Sequence, residues 1–181
     1  MPSLPPSVQR VVEAARRKGV ELRIVTFDES THTAAEAARA VDAELGQIVK
    51  SLVFVIEADS GLEGCIALVS GSNTVDLARL AAVMTGARLR RATADEARTL
   101  TGFPIGGVPP FGHATTLRTV MDPDLGRYRT VWAAAGTPNA VFEVDPATLR
   151  SLANATVAPV AREDISVAGG KRPEATRPLE A

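Results

Sequence analysis

Lys50 stands in an apolar stretch, GQIVKSLVFVIE at residues 46–57, where a charged side chain is unexpected. The chain has only three lysines, at positions 18, 50 and 171. In an extended strand alternate residues share a face, so Lys50 shares one with Leu52 and Phe54, where an unpaired ammonium is costly to bury. Two interpretations follow. Lys50 lies at the open end of the strand and extends its amine to water, or it binds a phosphate or carboxylate as a point charge.

The second chemical candidate is a loop rich in glycine and proline, GFPIGGVPPFG at residues 102–112. Glycines let a backbone approach a ligand closely, and prolines fix the shape of the loop. Such a loop can direct backbone N–H groups at an anion or a developing oxyanion, or it can be a rigid connector between a helix and a strand. His113 follows directly and is the better functional candidate of the two histidines, the alternative being an ordinary loop residue.

Several common sites have no signal in this sequence. The segment VSGSNTVDL runs from a strand into a helix, where Ser72 or Asn73 is the predicted cap, but it lacks the GK[ST] of a P-loop, and no GxGxxG occurs. His32 and His113 have no metal-ligand spacing, so neither a metal nor a cofactor is predicted. Cys65 is the only cysteine and is predicted to be a buried, inert thiol. With 20 basic and 21 acidic residues, any RNA contact must be local or helped by a partner.

The elements that must position these residues are five helices and about seven strands. Helical spacing and caps predict helices in PPSVQRVVEAARRKG, THTAAEAARAV, SNTVDLARLAAVMTGA, TADEARTLTG and DPATLRSLA. Ser7, Thr33, Thr93 and Asp145 are the predicted caps of the first, second, fourth and fifth. Strands are predicted in LRIVTF, IVKSLVFVIE, GCIALVSG, LRTVM, RTVWAAAG and AVFEV, with TVAPV as a further candidate.

The order of these elements favours an α+β fold, a mixed sheet or small barrel with packed helices, over a doubly wound one. We expect one domain at residues 1–168 and a disordered, proline-rich tail at 169–181. The arginines at 88, 90 and 91 are predicted to lie on a solvated helix end or loop. No apolar run reaches membrane-spanning length and no signal peptide is recognisable, so a cytoplasmic location is expected.

Three segments together resemble one family. THTAAEAARAVDAELGQIVKSLVF, SGSNTVDLARLAAVMTGARLRRATADEARTLTGFPIGGVPPFG and AAAGTPNAVFEVDPATL occur in the order found in the YbaK/ProX (EbsC-like) aminoacyl-tRNA editing domains. These domains are also inserted in bacterial prolyl-tRNA synthetases. The resemblance covers residues 5–162, and it depends on the K-[ST]-L-[VL] strand and the GxxxP loop in this order.

The resemblance implies a small mixed β-barrel surrounded by helices that deacylates mischarged tRNA in trans. The family's lysine falls on Lys50, its GxxxP motif on Gly106 to Pro110, and its late glycine on Gly136. In the family the lysine holds the 3′-terminal nucleotide, loop amides polarise the ester carbonyl, and water or a substrate hydroxyl attacks. Lys50, Gly106 and Pro110 are therefore the predicted catalytic residues. The predicted substrate-binding residues are Ser51, Gly107, Val108, Gly112, His113, Gly136 and Asn139.

Two departures bear on which amino acid is removed. Val141 takes a place where some cysteine-editing relatives carry an acidic residue, and Ser51 stands where relatives that edit different amino acids show threonine or asparagine. The predicted function is hydrolysis of a mischarged tRNA, with tRNA-Pro as one candidate and a synthetase as a candidate partner. Two alternatives stay open: a non-catalytic module that binds a small ligand in the same pocket, or a protein that docks on a synthetase through a helical face.

Overall fold

The computed structural model describes residues 3–163. The predicted tail at 169–181, and the last residues of the predicted domain at 1–168, lie outside that range. All five predicted helices are present. They are α1 (Pro6–Arg16), α2 (Ala34–Ala40), α3 (Leu77–Val83), α4 (Ala94–Thr101) and α5 (Pro146–Ala153), with two short 3₁₀ helices at Leu45–Gln47 and Pro123–Arg127.

Side-chain caps fix three of the helix starts as predicted. Thr33 and Thr93 each form a reciprocal capping box with the glutamate three residues later. The Asp145 carboxylate accepts a hydrogen bond from the Thr148 N–H at 2.9 Å, and Pro146 occupies the first position of α5.

The caps predicted for α1 and α3 are wrong. Helix α1 starts at Pro6, so Ser7 lies inside it. Helix α3 is capped by Asp76, whose Oδ1 accepts from the N–H groups of Ala78 and Arg79 at 2.9 and 3.1 Å. Because Asp76 takes the cap, the loop that includes Ser72 and Asn73 extends further than predicted and is free for other contacts.

The strands form two sheets. They are β1 (Ile24–Thr26), β2 (Val49–Ile56), β3 (Glu63–Ser70), β4 (Leu89–Arg91), β5 (Arg118–Met121), β6 (Val131–Ala134), β7 (Ala140–Val144) and β8 (Thr156–Val157). One sheet has the order β1-β7-β6 and is antiparallel. The other has the order β4-β2-β3-β5-β8, in which β3, β5 and β8 are parallel and β4, β2 and β3 antiparallel.

The predicted α+β class with a mixed sheet and surrounding helices is confirmed. Among the described residues the strands do not close into a barrel, because the two sheets remain separate ladders. A single parallel bridge, between Ile48 and Trp132, connects them beside the start of β2. Strand β4 corrects one prediction: residues 89–91 extend the sheet next to β2 instead of forming a helix end or loop.

The large apolar core holds the two sheets together. It includes Val49, Val53 and Val55 of β2 and Phe142 of β7, together with residues of α1, α4 and α5. A second buried cluster packs the other face of β2, which carries Phe54, against α3. Strand β2 is therefore fixed on both faces, and its first residues, including Lys50, lie where the two sheets meet. No helix among residues 3–163 is long and apolar enough to cross a membrane.

Candidate active site

A cavity of about 260 Å³ opens where the two sheets meet. The first residues of β2 line one part of it. The rest is lined by the segment before α2, strand β4, the glycine-proline loop and strands β6 and β7. The polar and charged side chains that line it are those of Thr31, His32, Thr33, Lys50, Ser51, Arg91 and Thr137. Apolar walls surround them, among them Val53, Val108, Trp132 and Val141.

Lys50 is half-buried in this cavity. Burial lowers the pKa of its amine below the usual 10.5, and the positive charge of Arg91 lowers it further. The ammonium donates a hydrogen bond to the backbone carbonyl of Asn73, in the loop between β3 and α3. No carboxylate within residues 3–163 forms an ion pair with Lys50 or Arg91. The cavity therefore carries a positive charge that suits a phosphate or carboxylate ligand.

The glycine-proline loop forms one edge of the cavity through Gly106 and Val108. Gly106 has φ of +90°, in the left-handed region that glycine adopts without strain. The N–H of Gly107 donates to the Pro104 carbonyl at 3.0 Å and closes a turn. The N–H groups of Gly106 and Val108 donate to no acceptor within residues 3–163, and both residues line the cavity.

Gly107 fixes the position of this loop by packing directly on the backbone of Thr137. A Cβ at Gly107 would lie 2.7 Å from the Thr137 Cα and 2.8 Å from its carbonyl carbon, closer than real Cβ contacts allow. The loop and the segment after β6 can approach this closely only because residue 107 has no side chain.

Ser51 and Val141 line the same cavity, and their bearing on the amino acid accepted stays a prediction. The Ser51 hydroxyl is buried and has no hydrogen-bond partner within the described part of the chain. Leaving a buried hydroxyl unpaired costs stability, so such a group is often retained for a ligand.

We expect Ser51→Ala to stabilise the free protein while impairing its function. Removing an unpaired buried hydroxyl should raise the free energy of unfolding by about 1 kcal/mol. The same change should lower kcat/KM for any substrate whose amino acid bonds to that hydroxyl. Urea unfolding and deacylation assays on the same preparations measure the two effects. A loss of stability would show that the hydroxyl has a structural partner.

Three predicted site residues lie elsewhere. Pro110, Gly112 and His113 line a second cavity, of about 680 Å³, between the C-terminal ends of α1, α3 and α5. The His113 Nε2–H donates to the Pro109 carbonyl at 2.7 Å, and burial lowers the pKa of its imidazole. The loop passes from one cavity to the other between Val108 and Pro110, which is why residues close in sequence do not meet at Lys50.

Gly136 and Asn139 support the Lys50 cavity without lining it. Gly136 has φ of +104°, and a Cβ there would lie 2.8 Å from the Ser7 carbonyl oxygen, so it is packed against α1. The Asn139 side chain accepts a hydrogen bond from the Thr137 hydroxyl at 2.9 Å and donates to the Phe27 carbonyl at 3.2 Å. Both residues hold the segment on which Gly107 packs.

The structure adds residues that the sequence did not single out for the cavity. Arg91 reaches it from β4, with its guanidinium 5.4 Å from the centroid of the Phe54 ring. His32, Trp132 and Ile105 line it as well, and Ile105 is 51% exposed at its edge. The basic cluster at 88–91 was visible in the sequence. Strand β4 was not, because three residues are too few to show the alternation of apolar and polar side chains that marks a strand.

The described residues contain no group of three or more His, Cys, Asp or Glu side chains placed to hold a metal ion. Cys65 is buried as predicted, and burial raises the pKa of its thiol to about 11. The polar groups that line the cavity are thus the cations of Lys50 and Arg91, the His32 imidazole, hydroxyls and backbone groups.

Comparison with known proteins decides the family. The model of the aminoacyl-tRNA editing domain matches residues 28–152, which include Lys50 and the whole glycine-proline loop. The chain belongs to the aminoacyl-tRNA editing domain family. The family predicted from the sequence is thereby confirmed, and the fold of this editing domain agrees with those of solved relatives.

Two sequence relatives and one solved structure illustrate the similarity. The editing domain is 31% identical over 126 residues to the uncharacterized protein YwhH of Bacillus subtilis, covering 70% of this chain and 78% of that protein. It is 31% identical over 121 residues to the multifunctional Ser/Thr-tRNA deacylase ProXp-y of Escherichia coli, covering 65% of this chain and 70% of that protein. A crystal structure of a candidate trans-editing enzyme for prolyl-tRNA synthetase superposes with a TM-score of 0.81 at 49% identity, covering 89% of this chain and all of that one.

Proposed function

We propose that this protein is a trans-acting aminoacyl-tRNA deacylase that hydrolyses the ester of mischarged tRNA. The observation that carries the proposal is one cavity lined by Lys50 and by Gly106 and Val108, whose N–H groups have no acceptor within residues 3–163, in a chain of the editing family. That membership supports an aminoacyl-tRNA as the substrate and a cytoplasmic setting for the reaction.

In the proposed reaction Lys50 binds the 3′-terminal nucleotide through its phosphate or ribose. The N–H groups of Gly106 and Val108 donate to the ester carbonyl oxygen and stabilise the negative charge that develops on it. A water molecule, which a hydroxyl of the tRNA can orient, attacks the carbonyl carbon and gives up a proton, so that its oxygen becomes part of the released amino acid. The ester C–O bond then breaks, and the released ribose oxygen takes up a proton.

Positioning and backbone donors are sufficient for this chemistry because an aminoacyl ester is already activated. Loss of one oxyanion donor costs roughly 2.7–4 kcal/mol of transition-state stabilisation in a known case, so two such donors represent substantial catalysis. The proposal therefore assigns no nucleophile to the protein, and the buried Cys65 thiol has no part in it.

The cavity supports a small amino acid as the group that is removed. About 260 Å³ is below the usual range of roughly 300–1,000 Å³ for ligand pockets, and the Ser51 hydroxyl is a potential partner for a hydroxylated side chain. The relative ProXp-y, by its name, deacylates Ser- and Thr-tRNA. We propose serine and threonine as the first amino acids to test, with alanine next.

A panel of charged tRNAs tests the function directly. Ala, Ser, Cys, Thr and Pro are each attached to tRNA-Pro, and the cognate Ser-, Thr- and Ala-tRNAs are added for comparison. We expect hydrolysis of at least one mispaired species well above the spontaneous rate. Binding of an amide-linked aminoacyl-tRNA analogue without hydrolysis of any ester would favour the non-catalytic module instead.

A synthetase is the proposed partner, because the chain has little charge with which to hold a tRNA by itself. The formal net charge is −1, so long-range attraction of the RNA backbone is weak. A synthetase that retains the mischarged tRNA would present its 3′ end at a high effective concentration. Addition of prolyl-tRNA synthetase to the panel should then raise the deacylation rate at low tRNA concentration.

A further inference from the structure

The Lys50 ammonium is held at one defined point, the backbone carbonyl of Asn73. A lysine ammonium has three N–H donors, so this contact uses one and leaves two for a ligand. The lysine side chain has four flexible carbons, so without such a contact the ammonium would occupy many different positions in different conformers. The direction of the remaining donors therefore depends on where the Asn73 carbonyl lies.

Asn73 is itself anchored from two sides. Its N–H donates to the Ser70 carbonyl at 2.9 Å, which ties it to the end of β3. Its side-chain Nδ2 donates to Oδ2 of Asp124 at 2.8 Å. Asp124 lies 51 residues further along the chain, in the 3₁₀ helix after β5, so this bond joins the loop to a distant element.

Asp124 is a rigid support because its own backbone is fixed by the neighbouring Asp122. The N–H of Asp124 donates to Oδ1 of Asp122 at 3.0 Å. Asp122 is buried, and its Oδ2 accepts from the N–H groups of Val160 and Ala161 at 2.9 and 2.8 Å. A continuous set of bonds therefore runs from the segment after β8 to the Lys50 amine.

This arrangement positions the ammonium without neutralising it. A carboxylate in direct contact with Lys50 would form an ion pair and compete with a phosphate for the same charge. Here the Asp124 carboxylate contacts the Asn73 amide, and only a neutral carbonyl contacts the amine. The charge thus stays available to an anionic ligand while its position is fixed.

We propose that Asp124 is a positioning residue for the reaction: it fixes Asn73, and through the Asn73 carbonyl it directs the Lys50 ammonium into the cavity. The inference rests on the proposed function, in which Lys50 binds the 3′ end of the tRNA. The sequence gives no indication of this role, because the three residues lie on β2, on the loop after β3 and on a 3₁₀ helix.

Four variants test the proposal through deacylation kinetics. We expect Asp124→Ala and Asn73→Ala each to lower kcat/KM roughly ten- to hundredfold, because a misplacement of about 1 Å can cost 10²-fold. The double variant should be no worse than the more damaging single one, since both changes break the same connection. Asp124→Asn keeps an oxygen acceptor for Asn73 and should retain activity within about threefold.

Arg127→Ala is the matched control. The Arg127 guanidinium lies 3.0 Å from Oδ1 of Asp124, the oxygen that does not contact Asn73, and its side chain is largely exposed. Arg127→Ala removes the second partner of the Asp124 carboxylate and leaves its hydrogen bond with Asn73 intact, so kcat/KM should stay within twofold. An equal loss in Arg127→Ala and Asp124→Ala would overturn the proposal.

The NMR signal of the Lys50 ammonium gives a readout that does not depend on activity. In the wild type we expect a protected side-chain N–H signal, kept in Asp124→Asn and Arg127→Ala and lost to fast water exchange in Asp124→Ala and Asn73→Ala. If no charged tRNA is hydrolysed by the wild type, the proposed function fails while this signal still tests the positioning. A signal unchanged in Asp124→Ala overturns the positioning role, whatever the activity.

Discussion

We expect Lys50→Ala to lower kcat/KM for deacylation by roughly 10- to 140-fold. A charge-assisted hydrogen bond is worth roughly 1.5–3 kcal/mol, and each 1.4 kcal/mol corresponds to tenfold. No other lysine of residues 3–163 lines the cavity, and Arg91, which does, lies on a different strand. The measurement is single-turnover deacylation of the best species from the tRNA panel, with wild type and variant compared at equal folded concentration.

Lys18→Ala is the control for this experiment. Lys18 donates to the carbonyls of Ser151 and Leu152 at the end of α5 and lies beside the second cavity, so its loss should affect stability and not deacylation. Because Lys50 is half-buried with only one backbone contact, Lys50→Ala should fold normally by circular dichroism. Activity within twofold of wild type would show that Lys50 does not bind the tRNA end.

Gly107→Ala should have the next largest effect, a loss of roughly 30- to 100-fold in deacylation. The added Cβ would overlap the Thr137 backbone, with contacts of 2.7 to 2.9 Å, so the loop must move away by a substantial fraction of an ångström. The N–H groups of Gly106 and Val108 move with it, and a displacement of this size is enough to remove most of an oxyanion contact. Overpacking of this kind also costs about 1–3 kcal/mol of stability.

Gly126→Ala is the matched change at a glycine without such a neighbour. A Cβ there would meet no atom within 4 Å, so both stability and kcat/KM should remain close to wild type. If Gly107→Ala is destabilised but deacylates normally once folded, the loop N–H groups do not contact the reacting carbonyl.

The secondary structure was largely predictable because the local signals are strong. The capping boxes at Thr33 and Thr93, and Pro146 after Asp145, mark helix starts through local chemistry alone. Strand β4 was missed because three residues cannot display an alternation, and its pairing with β2 depends on a partner over 30 residues away. The separation of the strands into two sheets is likewise set by long-range pairing that no local pattern encodes.

The candidate site was predictable where its residues lie on one continuous segment. A lysine in an apolar strand and a loop rich in glycine and proline are both recognisable from residue type alone. The same loop shows the limit of that reasoning: Pro110 and His113 are its neighbours in sequence but line a different cavity. The hydrogen bonds that connect Asp124 and Asn73 to Lys50 could not be predicted from the sequence. Every residue has a backbone carbonyl, so the type of residue 73 does not indicate that its carbonyl accepts from Lys50.

The joining of the two sheets at the cavity has a consequence for folding energetics. Strand β2 belongs to one sheet and Trp132 and Val141 to the other, so a ligand bound between them is lost if either sheet opens. A ligand at a concentration of 100 Kd raises the free energy of any local unfolding that destroys the site by about 2.7 kcal/mol. Amide hydrogen exchange should therefore slow together in β2 and in β6 and β7, and the two sheets, separate as ladders, should behave as one cooperative unit when the cavity is filled.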